Sequence, residues 1–236
     1  MTERGAGAVR RDASSLAIGP SALDWDGTAL TIRIAETTAP LPSRLVGTVR
    51  LIPEAVTGRE FVLDPGGRHR WWPIAPAARI EVAFERPGLA WSGQGYFDTN
   101  GGDAPLERDF ASWHWCRAPL ARGAGIVYEA ACREGPGAAL ALRCDAAGGV
   151  EEMPLPAPAL LPRTRLWRVA RPTRADAGAE PSVRATLEDT PFYARSAVAT
   201  RLFGEDAQAV HESLSLDRFR NPVVQAMLAC RIPRRG

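Results

Sequence analysis

The chain has 236 residues, enough for one large domain or two small β-domains. Apolar residues make up 45 % and charged residues 24 %, as in ordinary globular proteins, and a formal net charge of +2 gives no reason to expect a nucleic-acid partner. All 29 basic residues are arginine, which excludes a lysine Schiff base and the lysine of a P-loop.

The sequence carries no targeting or metal-binding signature. No apolar run approaches the roughly 18 residues that a membrane-spanning helix needs, and the first residues lack the apolar core of a signal peptide. The four cysteines contain no Cys-x-x-Cys pair, which argues against a zinc site and predicts reduced thiols in a cytoplasmic protein. They are Cys116, Cys132, Cys144 and Cys230.

Runs with the alternation of β-strands, bounded by turn-forming residues, dominate the chain. Nothing before Leu16 predicts a strand. Residues 22–25 and 29–36 are predicted to form a hairpin across Asp26-Gly27. Residues 223–230 alone predict a short helix. The other predicted strands are 44–51, 79–85, 89–96, 125–132, 138–144, 182–187, 194–202 and 207–216.

Prolines at positions 154, 156, 158 and 162 interrupt this pattern. Proline cannot donate to a strand ladder, so residues 153–162 are predicted to be a linker between an N-terminal unit, 1–152, and a C-terminal unit, 163–236. Residues 171–181 are predicted to be a polar loop. The strand spacing indicates an all-β fold of two antiparallel barrels or sandwiches.

Two segments concentrate aromatic and ionisable residues, namely 69–76 and 93–106, followed by Trp-His-Trp at 113–115. In an extended strand, His69 and Trp71 share one face, as do Tyr96 and Asp98. These pairs indicate an aromatic-lined cavity with a titratable group. The alternative is structural, because Trp and Tyr are frequent core residues and Asp often caps turns.

The block 95–107, continued at 113–117, resembles the signature of bacterial carotenoid 1,2-hydratases, also called hydroxyneurosporene synthases. The segments 69–76, 187–195 and 211–219 resemble further blocks of that family. The resemblance implies two lipocalin-like (calycin-type) β-units, the first lacking an N-terminal segment. It also implies the catalytic set His69, Trp71, Tyr96 and Asp98. The family usually has Trp at the position of Gly101, which predicts a gap in the pocket wall.

Alkene hydration needs a proton delivered to carbon, and an apolar cavity can keep a carboxyl group protonated. Asp98 is the predicted acid, with Asp103 as the alternative, while the Trp71 and Tyr96 rings stabilise the cation. His69 either hydrogen-bonds Asp98 or positions water. The predicted substrate-binding residues are Trp72, Trp91, Trp113 and Trp115. His114 is predicted to be structural and to face away from Trp113 and Trp115, and Glu107 and Asp109 are predicted to lie on a solvated face.

The implied partners are an acyclic carotenoid of the neurosporene or lycopene type and water, with no metal and no cofactor. Substrate access implies peripheral contact with the inner membrane, and no nucleic acid is expected. Two alternatives stay open: a non-catalytic lipocalin-like binder of an isoprenoid or lipid, and a related cofactor-free terpenoid cyclase. The fold alone does not decide among them.

Overall fold

A computed structural model describes residues 4–38 and 41–228 of the chain. Its elements are almost all antiparallel strands, which confirms the predicted all-β fold. The strands are β1 (Val9–Arg11), β2 (Ser15–Ile18), β3 (Ser21–Trp25), β4 (Leu30–Thr37), β5 (Arg44–Pro53), β6 (Phe61–Val62), β7 (His69–Arg86), β8 (Leu89–Gly102), β9 (Phe110–Leu120), β10 (Gly123–Cys132), β11 (Ala138–Cys144), β12 (Val150–Glu152), β13 (Ala157–Leu161), β14 (Arg171–Ala175), β15 (Ser182–Asp189), β16 (Tyr193–Leu202) and β17 (Glu205–Ser215). The helices are α1 (Leu106–Asp109), α2 (Leu216–Phe219) and α3 (Pro222–Met227).

Two large sheets form the body of the molecule. The first is eight-stranded in the order β1-β2-β3-β4-β5-β7-β6, with β8 on the other side of β7. The second is seven-stranded in the order β12-β11-β10-β9-β17-β16-β15. The remaining strands, β13 and β14, pair only with each other. The predicted two-unit antiparallel architecture therefore appears as two sheets.

The predicted hairpin at Asp26-Gly27 forms between β3 and β4. The Asp26 carboxylate accepts hydrogen bonds from the backbone N–H groups of Thr28 and Ala29, both at 2.8 Å. This Asx-type turn is the local reason that the chain reverses here, because the side chain replaces backbone partners that the turn removes. Gly27 has a φ of +95°, a conformation that glycine adopts at little cost.

Several predicted boundaries are wrong. A short strand, β1, precedes Leu16, and β14 lies in the segment predicted as a loop. The proline-rich stretch contains β13, which tolerates Pro158 because it belongs to a two-stranded sheet in which an edge is always open. The predicted C-terminal helix is α3, and its predicted end at Cys230 lies outside the described residues. Cys116, Cys132 and Cys144 are free thiols.

The hydrogen-bonded sheets divide the chain at a different place from the proline-rich stretch. The first sheet ends with β8 at Gly102, and the second takes strands from both sides of residues 153–162. Its two halves join where β9 pairs with β17, for example Trp115 with Glu212. The division into folding units 1–152 and 163–236 stays a prediction.

The core lies between the two sheets and is rich in aromatic residues. Phe61 and Trp71 of the first sheet pack in one cluster with Trp115 and Tyr128 of the second, and Phe110 closes it at the start of β9. Burying such rings accounts for most of the apolar stabilisation available here, at about 25 cal/mol per Å² removed from water.

The outer face of the second sheet is covered by the β13–β14 hairpin. The Arg171 guanidinium donates to the Ser196 hydroxyl at 2.9 Å, and the His211 ring nitrogen Nε2 lies 2.9 Å from the Pro172 carbonyl oxygen. Burial lowers the pKa of His211 to about 4. The hairpin thus covers polar groups on this face, and the aromatic face on the other side packs against the first sheet.

Substitution of two glycines with positive φ, one in each sheet, tests how tightly the second sheet is packed at Gly123. Gly123 (φ +99°) begins β10, and a Cβ there would overlap the carbonyl oxygen of Cys144, whereas a Cβ at Gly27 would meet no heavy atom within 4 Å. Both Gly→Ala changes cost about 1–2 kcal/mol of backbone strain. We expect Gly123→Ala to cost a further ~1–3 kcal/mol from the overlap, measured by urea unfolding. Equal costs at the two positions would contradict this packing.

Candidate active site

Strands β7 and β8 place Trp71 and Asp98 on the same face of the first sheet. Trp71 lies opposite Asn100, so Asp98, two residues earlier on β8, points to the same side. The indole Nε1–H of Trp71 donates a hydrogen bond to Asp98 Oδ2 at 2.8 Å. Trp71 is fully buried and Asp98 is partly buried. The predicted pairs are His69 with Trp71 and Tyr96 with Asp98, and this hydrogen bond joins one member of each.

Four further rings pack around this contact between the sheets. Tyr96 stacks on Trp115 with ring centroids 4.6 Å apart, and Trp71 packs against Tyr128 at 4.9 Å. Trp113 lies 6.1 Å from Tyr128. We call the group Trp71, Tyr96, Trp113, Trp115 and Tyr128 the aromatic chamber. It brings together three of the four predicted catalytic residues, counting Asp98, and two of the predicted binding tryptophans.

The chamber favours the protonated form of Asp98. Burial raises the pKa of this carboxyl group, and the nearby Glu212 carboxylate raises it further. The hydrogen bond from Trp71 acts in the opposite direction, because it stabilises the anion, but does not cancel the effect of burial. Burial and then the Asp98 charge raise the pKa of Tyr96, so its hydroxyl stays protonated at neutral pH.

His69 lies on the same strand as Trp71, but its ring is bonded elsewhere. Its Nε2 lies 2.7 Å from Asp109 Oδ2, and its backbone N–H donates to Asp64 at 2.7 Å. The hydrogen bond with His69 and the charge of Arg68 lower the pKa of Asp109. The predicted solvated position of Asp109 is wrong, because its side chain is only 8 % exposed. Two roles are predicted for His69, a hydrogen bond to Asp98 or the positioning of water. The first is not seen, because the ring bonds to Asp109 instead.

The other two predicted binding tryptophans lie away from the chamber. Trp72 faces the opposite side of β7, where its Nε1 donates to the Thr57 carbonyl oxygen at 2.9 Å. It lines a separate apolar cavity of about 420 Å³ with Trp25, Phe97 and several leucines. Trp91 lies near the start of β8 and is 49 % exposed.

The whole chain, residues 1–236, matches the family described as carotenoid hydratase CrtC. The chain belongs to the carotenoid hydratase family. It is 57 % identical over 236 residues to a protein of Thiocapsa roseopersicina named acyclic carotenoid 1,2-hydratase, and 43 % identical over 237 and 236 residues to proteins of the same name from Rubrivivax gelatinosus and Cereibacter sphaeroides. Each match covers all of this chain. It spans 58 % of the length of the first two relatives and 84 % of the third.

Gly101, where the hydratase family usually has Trp, and Asp103 both lie outside the chamber. Gly101 pairs with Arg70 on the opposite face of the sheet, and a Cβ there would meet no heavy atom within 4 Å. The predicted gap in the pocket wall is therefore wrong, because a larger side chain at this position would project away from Asp98. Asp103, the alternative acid, is exposed in the connection between β8 and β9.

His114 faces away from Trp113 and Trp115, as the sequence predicts. It faces the outer side of the second sheet, and its Nδ1 lies 3.0 Å from the Ser213 hydroxyl. Burial lowers its pKa to about 4, so the ring is neutral near pH 7.

Glu212 and Arg195 were missed by the sequence reasoning. Glu212 lies on β17 directly opposite Trp115, and Arg195 Nη2 lies 2.8 Å from its Oε1. Alternation along residues 207–216 assigns Glu212 to one face of a strand, but only the long-range pairing of β17 with β9 puts that face beside the hydratase-family motif. Nothing in the local sequence predicts this pairing.

Among the described residues, no helix is long and apolar enough to cross a membrane. Within the same ranges, no group of three or more His, Cys, Asp or Glu side chains has an arrangement that could hold a metal ion.

The raised pKa of Asp98 predicts a pH-dependent effect on stability. A carboxyl group whose pKa is higher in the fold stabilises the fold at low pH, and this contribution is lost as the pH rises above the unfolded value of about 3.9. Asp98→Asn keeps an acceptor for the Trp71 N–H and cannot ionise. We expect its urea unfolding midpoint to exceed that of the parental protein at pH 7, with the difference disappearing near pH 3.5 to 4. Asp103→Asn, at an exposed position, is the control and should show no such gain.

Proposed function

We propose that the chain hydrates the terminal C1–C2 double bond of an acyclic carotenoid to give a 1-hydroxy carotenoid. The hydrogen bond from Trp71 to Asp98 inside the aromatic chamber is the observation that supports this most directly. Addition of water to an isolated alkene requires a proton donor, and burial among aromatic rings favours the protonated form of Asp98. The relatives from three bacteria carry the name of this activity.

The first step is transfer of the Asp98 proton to C2 of the substrate. Burial raises the pKa of Asp98, and the Trp71 N–H stabilises the carboxylate that remains after transfer. The same hydrogen bond also fixes the direction of the carboxyl group, because the Trp71 ring is held on all sides in the core. Trp71 therefore serves the acid as a positioning group as well as lining the chamber.

Protonation at C2 leaves a tertiary cation at C1, which the chamber is suited to stabilise. The ring faces of Tyr96, Trp71 and Tyr128 offer negative quadrupole density, worth about 2 kcal/mol each when desolvated. The stacking of Tyr96 on Trp115 restricts the orientation of the Tyr96 ring. Water then attacks C1 and completes the alcohol. These steps need only side chains of this chain and water.

His69 acts in this scheme as a positioning residue. Its ring bonds to Asp109 and packs edge-on against Phe110 at 4.8 Å. Asp109 ends α1 and Phe110 begins β9, three to six residues before the chamber tryptophans of that strand. His69 thus ties β7 to the beginning of β9, which aligns Trp71 with Trp113 and Trp115.

The test is Asp98→Asn, assayed with lycopene or neurosporene in detergent and with 1-hydroxy products separated by chromatography. The variant cannot donate an acidic proton, so we expect turnover to fall by at least ~10²-fold, while carotenoid binding persists because apolar burial holds the substrate. Trp71→Ala should weaken both binding and turnover. Asp103→Asn is the matched control and should keep parental turnover.

The Thiocapsa relative serves as the positive control for the assay. Near-parental turnover of Asp98→Asn would contradict the assignment of the acid. If the parental chain binds carotenoid tightly but gives no product under conditions where the relative is active, the protein is a carotenoid binder and not an enzyme. A product of unchanged mass would indicate a cyclase.

We further propose that the protein contacts an anionic membrane surface, which is where a carotenoid resides. Leu160 on β13 is 74 % exposed and Leu166 in the following loop is 73 % exposed. Exposed Arg163, Arg165 and Arg168 stand beside them. Apolar side chains interspersed with cations bind lipid surfaces, with about 1 kcal/mol contributed by each arginine near anionic headgroups.

Vesicle sedimentation tests this surface. Leu166→Ser should lower the affinity for vesicles containing anionic lipid by about tenfold or more, since burying one leucine is worth ~1.5–3 kcal/mol. High salt should lower it further by screening the arginines. Leu187→Ser, at a 48 % exposed leucine on β15, is the control. Equal effects of the two substitutions would contradict the proposed surface.

A further inference from the structure

A second carboxylate, Glu212, adjoins the aromatic chamber from the other sheet. Its position on β17 is directly opposite Trp115 on β9, and the two side chains therefore share one face of the sheet. Trp115 stacks on Tyr96, which lies two residues before Asp98 on β8. Glu212 is thus linked to Asp98 through one stacked pair of rings, and the charge of Glu212 acts on both Asp98 and Tyr128.

Glu212 is held in place by its neighbours on β16. Arg195, directly opposite it in the strand register, donates through Nε to Oε1 at 2.8 Å. The Glu212 side chain is only 13 % exposed, although its partner Arg195 is 39 % exposed and reaches the surface. Tyr193 lies two residues before Arg195 on β16 and shares its face, and burial and the Glu212 charge raise the pKa of its hydroxyl. The carboxylate is therefore fixed in direction and accepts hydrogen bonds only.

The two carboxyl groups have opposite surroundings. Asp98 lies among rings and receives one hydrogen bond from a neutral donor, whereas Glu212 is paired with a guanidinium. Hydration needs both kinds of group, because an acid must give a proton to C2 and a base must take one from the attacking water. Pairs of carboxyl groups in contrasting environments divide acid and base work in this way.

We propose that Glu212 is the base that accepts the proton from the water attacking C1, with Arg195 orienting its carboxylate. This rests on the proposed function. The Asp98 proton forms the new C2–H bond from the alkene electron pair, and the water oxygen forms the C1–O bond. One proton of that water passes to Glu212. Solvent then returns a proton from Glu212 to Asp98, so the net change is alkene plus water to tertiary alcohol.

The experiment separates proton delivery from water capture by running the reaction in D₂O. Transfer of a deuteron from Asp98 to C2, followed by return of the original C2 proton to the Asp98 carboxylate, regenerates the alkene with deuterium at C2. Mass spectrometry of recovered substrate measures this exchange. Glu212→Gln keeps the size and the contact with Arg195 but cannot take a proton. We expect formation of the 1-hydroxy product to fall by ~10²-fold or more while deuterium exchange into the substrate persists.

Controls distinguish this result from general damage. Glu129→Gln removes the charge from another partly buried Arg–Glu pair, with Arg174, on the opposite face of the same sheet, and should leave both readouts unchanged. Asp98→Asn should abolish both. If Glu212→Gln does not fold, Glu212→Asp, which withdraws the carboxylate by one methylene, should show the same partition in weaker form.

Loss of both readouts in Glu212→Gln, or retention of both, would overturn the role of Glu212. A parental protein that catalyses neither exchange nor hydration would instead overturn the proposed function, so the two failures are distinguishable.

Discussion

The hydrogen bond from the buried Trp71 indole to Asp98 is the polar contact that holds a carboxyl group in the apolar interior. Trp71 is completely removed from solvent, and an unsatisfied donor there would cost about 1–3 kcal/mol. Asp98 provides the acceptor at 2.8 Å. The carboxyl group is in turn drawn away from water, and burial shifts its pKa upward. Asp98 therefore satisfies the Trp71 N–H, while its burial, and not that hydrogen bond, favours its protonated form.

The second sheet supplies the rings that enclose the site residues of the first sheet. Strands β7 and β8 supply Trp71, Tyr96 and Asp98, but the rings that enclose them, Trp115 and Tyr128, come from β9 and β10. The His69–Asp109 bond ties β7 to the beginning of β9. The site is therefore a property of the interface between two sheets. Substitutions that loosen the interface should affect chemistry even when they touch no reacting atom.

Strand alternation predicted the parts of the site that depend on one strand at a time. It put Tyr96 and Asp98 on one face of a strand, and it put Trp113 and Trp115 on one face with His114 on the other. It could not assign His69 to Asp109, because Asp109 ends a short helix where period-2 reasoning does not apply. It could not find Glu212, since its place depends on a partner strand almost a hundred residues earlier in the chain. The selection of four catalytic candidates came from the family resemblance, whereas spacing alone indicated only shared faces.

The pairing of β9 with β17 also constrains how the molecule assembles. Residues 112–117 find their partners at 210–215, near the end of the described chain, so this contact closes one of the longest loops in the fold. During synthesis, the edge of β9 that pairs with β17 has no partner strand until β17 has left the ribosome. Long-range pairings of this kind form late and slowly. Complete enclosure of Asp98 is therefore expected late in folding, and a chain that ends before β17 would contain Asp98 without the full environment that raises its pKa.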